Sequence, residues 1–190
     1  MTNNKIILGL VGDLAAGKST ISKYLKEKYG VNSYLYSQML RDILKRVYIE
    51  DSRENMQKIS TLLRENFDQQ IMGKVIAKDV QNDPNEIVIA DGIRRPSDIV
   101  QLEELPGFNL IYITADPKIR WQRTTDRASN PGDKEKTFEQ FLKDEEAEAD
   151  NTIKELGKQA KYTLTNNDTK DEFIEQIEKM LTQIKHESKN

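Results

Sequence analysis

The sequence predicts an α/β fold of three layers, α/β/α, built on a mostly parallel five-stranded sheet. Short apolar, β-branched runs alternate with segments of helical period from end to end. These runs are apolar without a polar alternate, the pattern of strands covered on both faces. The first of them opens directly into the glycine-rich stretch "GDLAAGKST", residues 12–20, which itself leads into a helical segment.

Lys5–Val11 is the first buried strand and Lys18–Tyr29 the first helix. Asn32–Tyr36 is a short second strand, and Ser37 is placed to cap a helix running to about Val47. Ser52–Asn82 carries no strand signal and reads as one or two helices, broken near Asn66–Phe67. Glu86–Ala90 follows the turn-forming "NDPN" and is the third strand. Pro96–Leu105 is helical, and "PGF" turns the chain into the fourth strand, Leu110–Thr114. Asp116 and Pro117 start a helix that runs to about Ala128. After the polar break "SNPGDKEK", an acidic helix begins at Thr137 and resets near Asp150–Gly157. Tyr162–Thr165 is the last strand and Lys170–Lys185 the closing helix.

At 190 residues the chain is read as one domain, 1–190, with two segments beyond the core alternation. One is a helical insert at about 37–82, the other a short lid at about 127–136. Both are expected over the carboxyl edge of the sheet, where α/β proteins bind ligands.

Composition removes several function classes. No apolar run reaches bilayer length, and the apolar N-terminal stretch runs into the glycine-rich loop rather than a cleavage site. With no Cys there is no disulfide or thiolate chemistry, which points to the cytoplasm. The single His, His186, lies in the polar tail, so neither a His triad nor a His metal site is available. A net charge of −3 argues against a nucleic-acid surface. All nine Arg lie between Arg41 and Arg127 beside five Lys, whereas the remainder carries fifteen Lys and no Arg. Where charge alone is needed this chain uses Lys, so the central Arg point to bidentate anion recognition.

Gly12-x-x-x-x-Gly17-Lys18-Ser19 is a P-loop between a strand and a helix. The backbone of Gly12, Asp13, Ala15, Ala16, Gly17, Lys18, Ser19 and Thr20 would wrap phosphate oxygens, aided by the helix N-terminus. Lys18 would reach the transferred phosphate and Ser19 the Mg²⁺ of an ATP·Mg²⁺ complex. Asp91, ending "IVIAD", is a second candidate for the Mg²⁺. Gly92 follows it where motor ATPases carry Glu, and no Asn-Lys-x-Asp element is present, so hydrolysis and guanine switching both lose ground. Arg94 and Arg95 follow at once and suit the phosphate of a second substrate; Pro96 holds Arg95 extended. Arg120, Arg123 and Arg127 share one helix face before the lid, the place for cations that close over a transferring phosphoryl group. In the insert, Arg41 suits acceptor binding; Arg53 and Arg64 are weighed equally against ordinary solvated Arg.

These motifs resemble the nucleoside monophosphate kinases, adenylate kinase and its relatives. "QMLRDI" resembles "DMLR", which implies an acceptor-phosphate contact for Arg41. "DGIRR" resembles "DGFPR", implying Mg²⁺ at Asp91 and acceptor binding by Arg94 or Arg95. "RWQRTTDR" implies phosphate contacts for Arg123 and Arg127, and "LTNND" places Asn166 and Asn167 beside the adenine. The resemblance implies a P-loop kinase fold and phosphotransfer from ATP to a nucleoside or deoxynucleoside monophosphate, by a monomer or homodimer. Departures are Asp13, Ala15 and Ala16 in the loop, Gln38 for Asp, a short lid without Cys, and Lys143 for Arg. Alternatives are a dephospho-CoA kinase-like transfer to a sugar hydroxyl, or a non-catalytic nucleotide-binding regulator.

Overall fold

The computed structural model describes residues 5–128, 132–147 and 151–188. Strand β1 (Ile6–Gly12) is buried along its whole length and runs into helix α1 (Lys18–Tyr29). There follow β2 (Asn32–Leu35), α2 (Tyr36–Arg46), α3 (Arg53–Asn66), α4 (Ile71–Asn82) and β3 (Ile87–Asp91). Then come α5 (Pro96–Glu103), β4 (Phe108–Thr114), α6 (Pro117–Arg127), α7 (Phe138–Ala147), α8 (Asn151–Gln159), β5 (Tyr162–Thr165) and α9 (Lys170–Glu187). The strands form one sheet in the order β2-β3-β1-β4-β5, and every pairing is parallel.

Period-two alternation in β1 explains the three layers. Leu8 and Leu10 face one way, into a cluster with Ile21 and Leu25 of α1 and Phe173, Ile177 and Leu181 of α9. Ile7 and Val11 face the other way, against Leu40 of α2, Met72 and Ile76 of α4, and Leu102 of α5. Each face of the strand meets helices, so neither side carries a polar residue. With β3 and β4 on either side of β1, the loop after β1 lies at the middle of the sheet's carboxyl edge.

The helix ends follow local chemistry. Ser52 accepts from the Asn55 amide (3.2 Å) at the start of α3, and Asp116 from Lys118 (2.8 Å) at the start of α6. Thr169 and Glu172 form a reciprocal capping box on α9. The expected cap at Ser37 is not observed: the helix start lies two residues earlier, with Leu35 in the capping position and Tyr36 as the first residue of α2. The Tyr36 ring is buried, and its hydroxyl donates to the Asp98 carbonyl (2.7 Å), which draws that residue into the first turn. Residues 53–82 form two helices, as the break near Asn66–Phe67 implied. The acidic helix expected from Thr137 is two helices, α7 and α8, and the second starts at Asn151, within the stretch expected to reset; residues 148–150 lie outside the described chain. Among the described residues no helix is long and apolar enough to cross a membrane.

Candidate phosphate-binding site

The turn from β1 to α1 is a wrapped loop. Ala15 (φ +58°) and Gly17 (φ +120°) adopt positive φ, the kind of alternation that turns successive amides toward one concavity. Lys18 Nζ lies across this concavity, donating to the carbonyls of Gly12 (2.5 Å) and Asp13 (2.9 Å). Ser19 and Thr20 occupy the first turn of α1, Ser19 exposed and Thr20 half-buried. The Asp13 carboxylate does not face the loop. It is buried and accepts from the hydroxyls of Tyr112 (3.2 Å) and Thr114 (3.1 Å) on β4. Only its main chain is left for phosphate, and the side chain anchors the loop to the neighbouring strand.

Asp91 ends β3, in register with Leu10 of β1. Its carboxylate is buried and accepts from the Ser22 hydroxyl (3.1 Å), one turn along α1 from Ser19. Burial pushes its pKa above the ordinary carboxylate value, opposed by the positive charge of Lys18 and by hydrogen bonds from Ser22 and the Gly92 amide. A divalent cation held by one carboxylate, one hydroxyl and nucleotide phosphates needs no larger acidic cluster. Among the described residues no group of three or more His, Cys, Asp or Glu side chains that could hold a metal occurs; Asp91 at the end of β3 and Ser19 in the first turn of α1 are a carboxylate and a hydroxyl of the kind that sparser requirement names.

On the other side of the loop is a cavity of about 500 Å³. Its wall includes Ala15, Gly17, Ser19 and Thr20 of the loop, and Arg123, Arg127 and Asn166 opposite. Asn166, in the turn after β5, is buried. It donates to the Ala16 carbonyl (2.8 Å) and accepts from Arg123 Nη2 (3.3 Å). Arg123 Nη1 is buried with no protein partner, and burial lowers the pKa of this guanidinium. Asn167, by contrast, is exposed and accepts from the Asp116 amide (2.7 Å), which fixes the β4–α6 turn.

Gly17 has no room for a side chain. A Cβ there would overlap Asn166 Nδ2 in a backbone conformation that L-residues avoid. Gly17→Ala is therefore expected to displace Asn166 and Arg123 together and to weaken nucleotide binding at least tenfold, measured by titration calorimetry with ATP.

The arginines expected to bind an acceptor separate into distinct environments, and none of them lines this cavity. Arg94 and Arg95 are exposed immediately after Asp91. Arg41, on α2, donates from Nε to Asp51 (2.9 Å) at the surface, and Arg53 is exposed at the start of α3. Arg64, weighed between acceptor binding and an ordinary solvated role, is not solvated: its side chain is 5% exposed and pairs with Asp98 (2.7 Å), itself 4% exposed. Arg120 does not join Arg123 and Arg127 in facing the loop. It is buried, donates to the Ala115 carbonyl (3.0 Å) and pairs with Glu145 of α7, its guanidinium over the Phe141 ring. Residues 129–131 of the expected lid lie outside the described residues. Beyond them the Trp121 indole donates to the Lys136 carbonyl (2.7 Å) and Asp133 is buried, so this stretch is tied to α6.

Three features of the site were not read from the sequence. Ser22 as a partner of Asp91 and the β4 hydroxyls as partners of Asp13 are long-range pairings with no local signature. Asp98 had one: an acidic residue three positions after Arg95 in "RPSD", at the helix position whose carboxylate caps the preceding amides.

A model of the AAA domain family matches residues 11–141. A UPF0200 protein of Hyperthermus butylicus is 25% identical over 181 residues, spanning 95% of this chain and 96% of its own. A UPF0200 protein of Saccharolobus solfataricus is 27% identical over 184 residues, spanning 95% and 94%. Shikimate kinase from Bacteroides thetaiotaomicron superposes with a TM-score of 0.61 at 15% identity, covering 93% of this chain and 98% of its own. Shikimate kinase from Acinetobacter baumannii in complex with shikimate gives 0.57 at 18%, covering 94% of each. At these identities the likeness is one of fold: three layers around an all-parallel five-stranded sheet, as in P-loop kinases.

Proposed function

The chain belongs to the AAA domain family, and on that premise we propose that it transfers the γ-phosphoryl group of ATP to a nucleoside or deoxynucleoside monophosphate. The observation that carries this reading is the half-buried Arg123 at the P-loop cavity, whose Nη1 atom is buried without a protein partner, a cation placed for an incoming anion. Wrapped amides, Lys18 and Arg123 would hold the triphosphate. Ser19 and Asp91 would hold Mg²⁺, which when bound neutralises phosphate charge.

The acceptor reading rests on charge and on the whereabouts of bases. A hydroxyl acceptor needs a group to take its proton, whereas a phosphate with a second pKa near 6 is already an anion at neutral pH. Tyr36, Ser37 and Gln38 follow β2 without a carboxylate. Asp42 accepts from Gln38 (2.9 Å), and Asp13 is engaged with β4. Exposed Arg94 and Arg95 follow Asp91 by three and four positions instead, donors suited to an anion.

Steady-state kinetics with ATP and a monophosphate tests the assignment. Arg94→Met combined with Arg95→Met is expected to raise acceptor KM about tenfold or more, the value of one charge-assisted hydrogen bond, with ATP KM unchanged. Equal changes in both constants contradict it.

A further inference from the structure

Behind Arg94 and Arg95 the structure concentrates buried polar contacts that nucleotide binding at the P-loop does not use. The Asp98 carboxylate accepts from the amides of Arg94 (3.2 Å) and Arg95 (3.0 Å) through Oδ2, and from Arg64 Nη2 (2.7 Å) through Oδ1. Arg64 Nη1 donates in turn to the Gln69 carbonyl (2.5 Å), in the α3–α4 connection, and to Ser97 Oγ (3.2 Å). The main-chain carbonyl of Asp98 accepts from the Tyr36 hydroxyl of α2. Helix α4 approaches the same carbonyl at Gly73, where a Cβ would stand only 2.7 Å away. All three helices of the insert thus converge on the residue that holds the arginine loop.

We propose that Asp98 is a positioning residue: its buried pairing with Arg64 locks the main chain of Arg94 and Arg95 to the helical insert. The two guanidinium groups and the insert then address an anionic acceptor as one unit. The inference rests on the reading of Arg94 and Arg95 as acceptor-phosphate donors. The bond to the Arg95 amide is the ordinary helix cap of this position; the bonds to the Arg94 amide and from Arg64 of α3 go beyond it and tie the cap to the insert. Removing one partner of such a pair leaves a buried charge and unfolds many proteins, whereas replacing both by apolar residues is often neutral. The double replacement is therefore the variant that tests the pair with least cost to the fold.

The test compares the parent with Arg64→Met/Asp98→Leu by native-state amide exchange and by steady-state kinetics. The double variant is expected to keep its melting temperature within a few degrees. Its Arg94 and Arg95 amides should exchange at least tenfold faster while β1 amides keep their protection, and acceptor KM should rise about tenfold at constant ATP KM. Unchanged exchange at Arg94 and Arg95 in the folded double variant overturns the proposal. If that variant does not fold, Asp98→Asn decides: it retains one acceptor oxygen and should speed exchange at one or both amides, and unchanged exchange overturns the proposal. Should the parent transfer phosphate to no monophosphate, the functional reading fails while the exchange measurement still judges Asp98.

Discussion

Lys18→Ala lowers phosphoryl transfer about 10³-fold, the upper end of what removing one preorganised charge-stabilising donor costs. The fold should survive. Lys18 is not part of either hydrophobic cluster, and the loop carbonyls of Gly12 and Asp13 to which it donates can be satisfied by water. In this structure the ammonium closes the loop on itself. Binding of a triphosphate would replace those two carbonyls by phosphate oxygens at the same ammonium. The expected signature is a large fall in kcat with a melting temperature within a few degrees of the parent's. Lys18→Arg should not rescue it, because a planar fork cannot replace a compact ammonium inside the wrapped loop. Retained activity in either variant would contradict the assignment.

Asp91→Asn should reduce transfer about 10²-fold or more, by removing one of the two groups assigned to the cation. Its effect on stability has the opposite sign. Burial raises the Asp91 pKa despite Lys18 and Ser22, so the folded state holds this proton more tightly than the unfolded chain does. The resulting contribution is fully present below the ordinary carboxylate value of 3.8 and is lost as pH rises through the folded value. At neutral pH the ionised carboxylate is therefore a cost to the ligand-free protein, of the kind functional sites carry. Without nucleotide or metal, Asp91→Asn should melt at or above the parent temperature at pH 7.5, with the difference vanishing toward pH 4. A variant less stable at pH 7.5 would mean that attraction to Lys18 outweighs desolvation.

The sheet was legible because its signal is local and redundant. β1 is apolar on both faces, which only a doubly covered strand tolerates, and its glycine-rich exit has contiguous, specific spacing. Element boundaries followed from the same patterns, except where a distant contact intervened. Tyr36 extends α2 past the expected Ser37 cap because Asp98, 62 residues on, accepts its hydroxyl. The fates of the arginines were not legible for the same reason. Arg64 and Arg123 read alike as helix-borne cations, yet one meets Asp98, 34 residues away, and the other lies beside Asn166 and the P-loop. Asp13 reads as a loop residue facing phosphate, but two hydroxyls about a hundred residues later turn it toward β4. Long-range polar pairing decides which charges remain for a ligand, and no local period encodes it.

The most direct measurement follows the γ-phosphoryl group itself. The protein is incubated with isotopically labelled ATP, Mg²⁺ and a panel of nucleoside and deoxynucleoside monophosphates together with dephospho-CoA, and the products are separated by mass. The account predicts label in a nucleoside diphosphate formed from one of the monophosphates. Label confined to inorganic phosphate, or carried to the hydroxyl of dephospho-CoA, would contradict it.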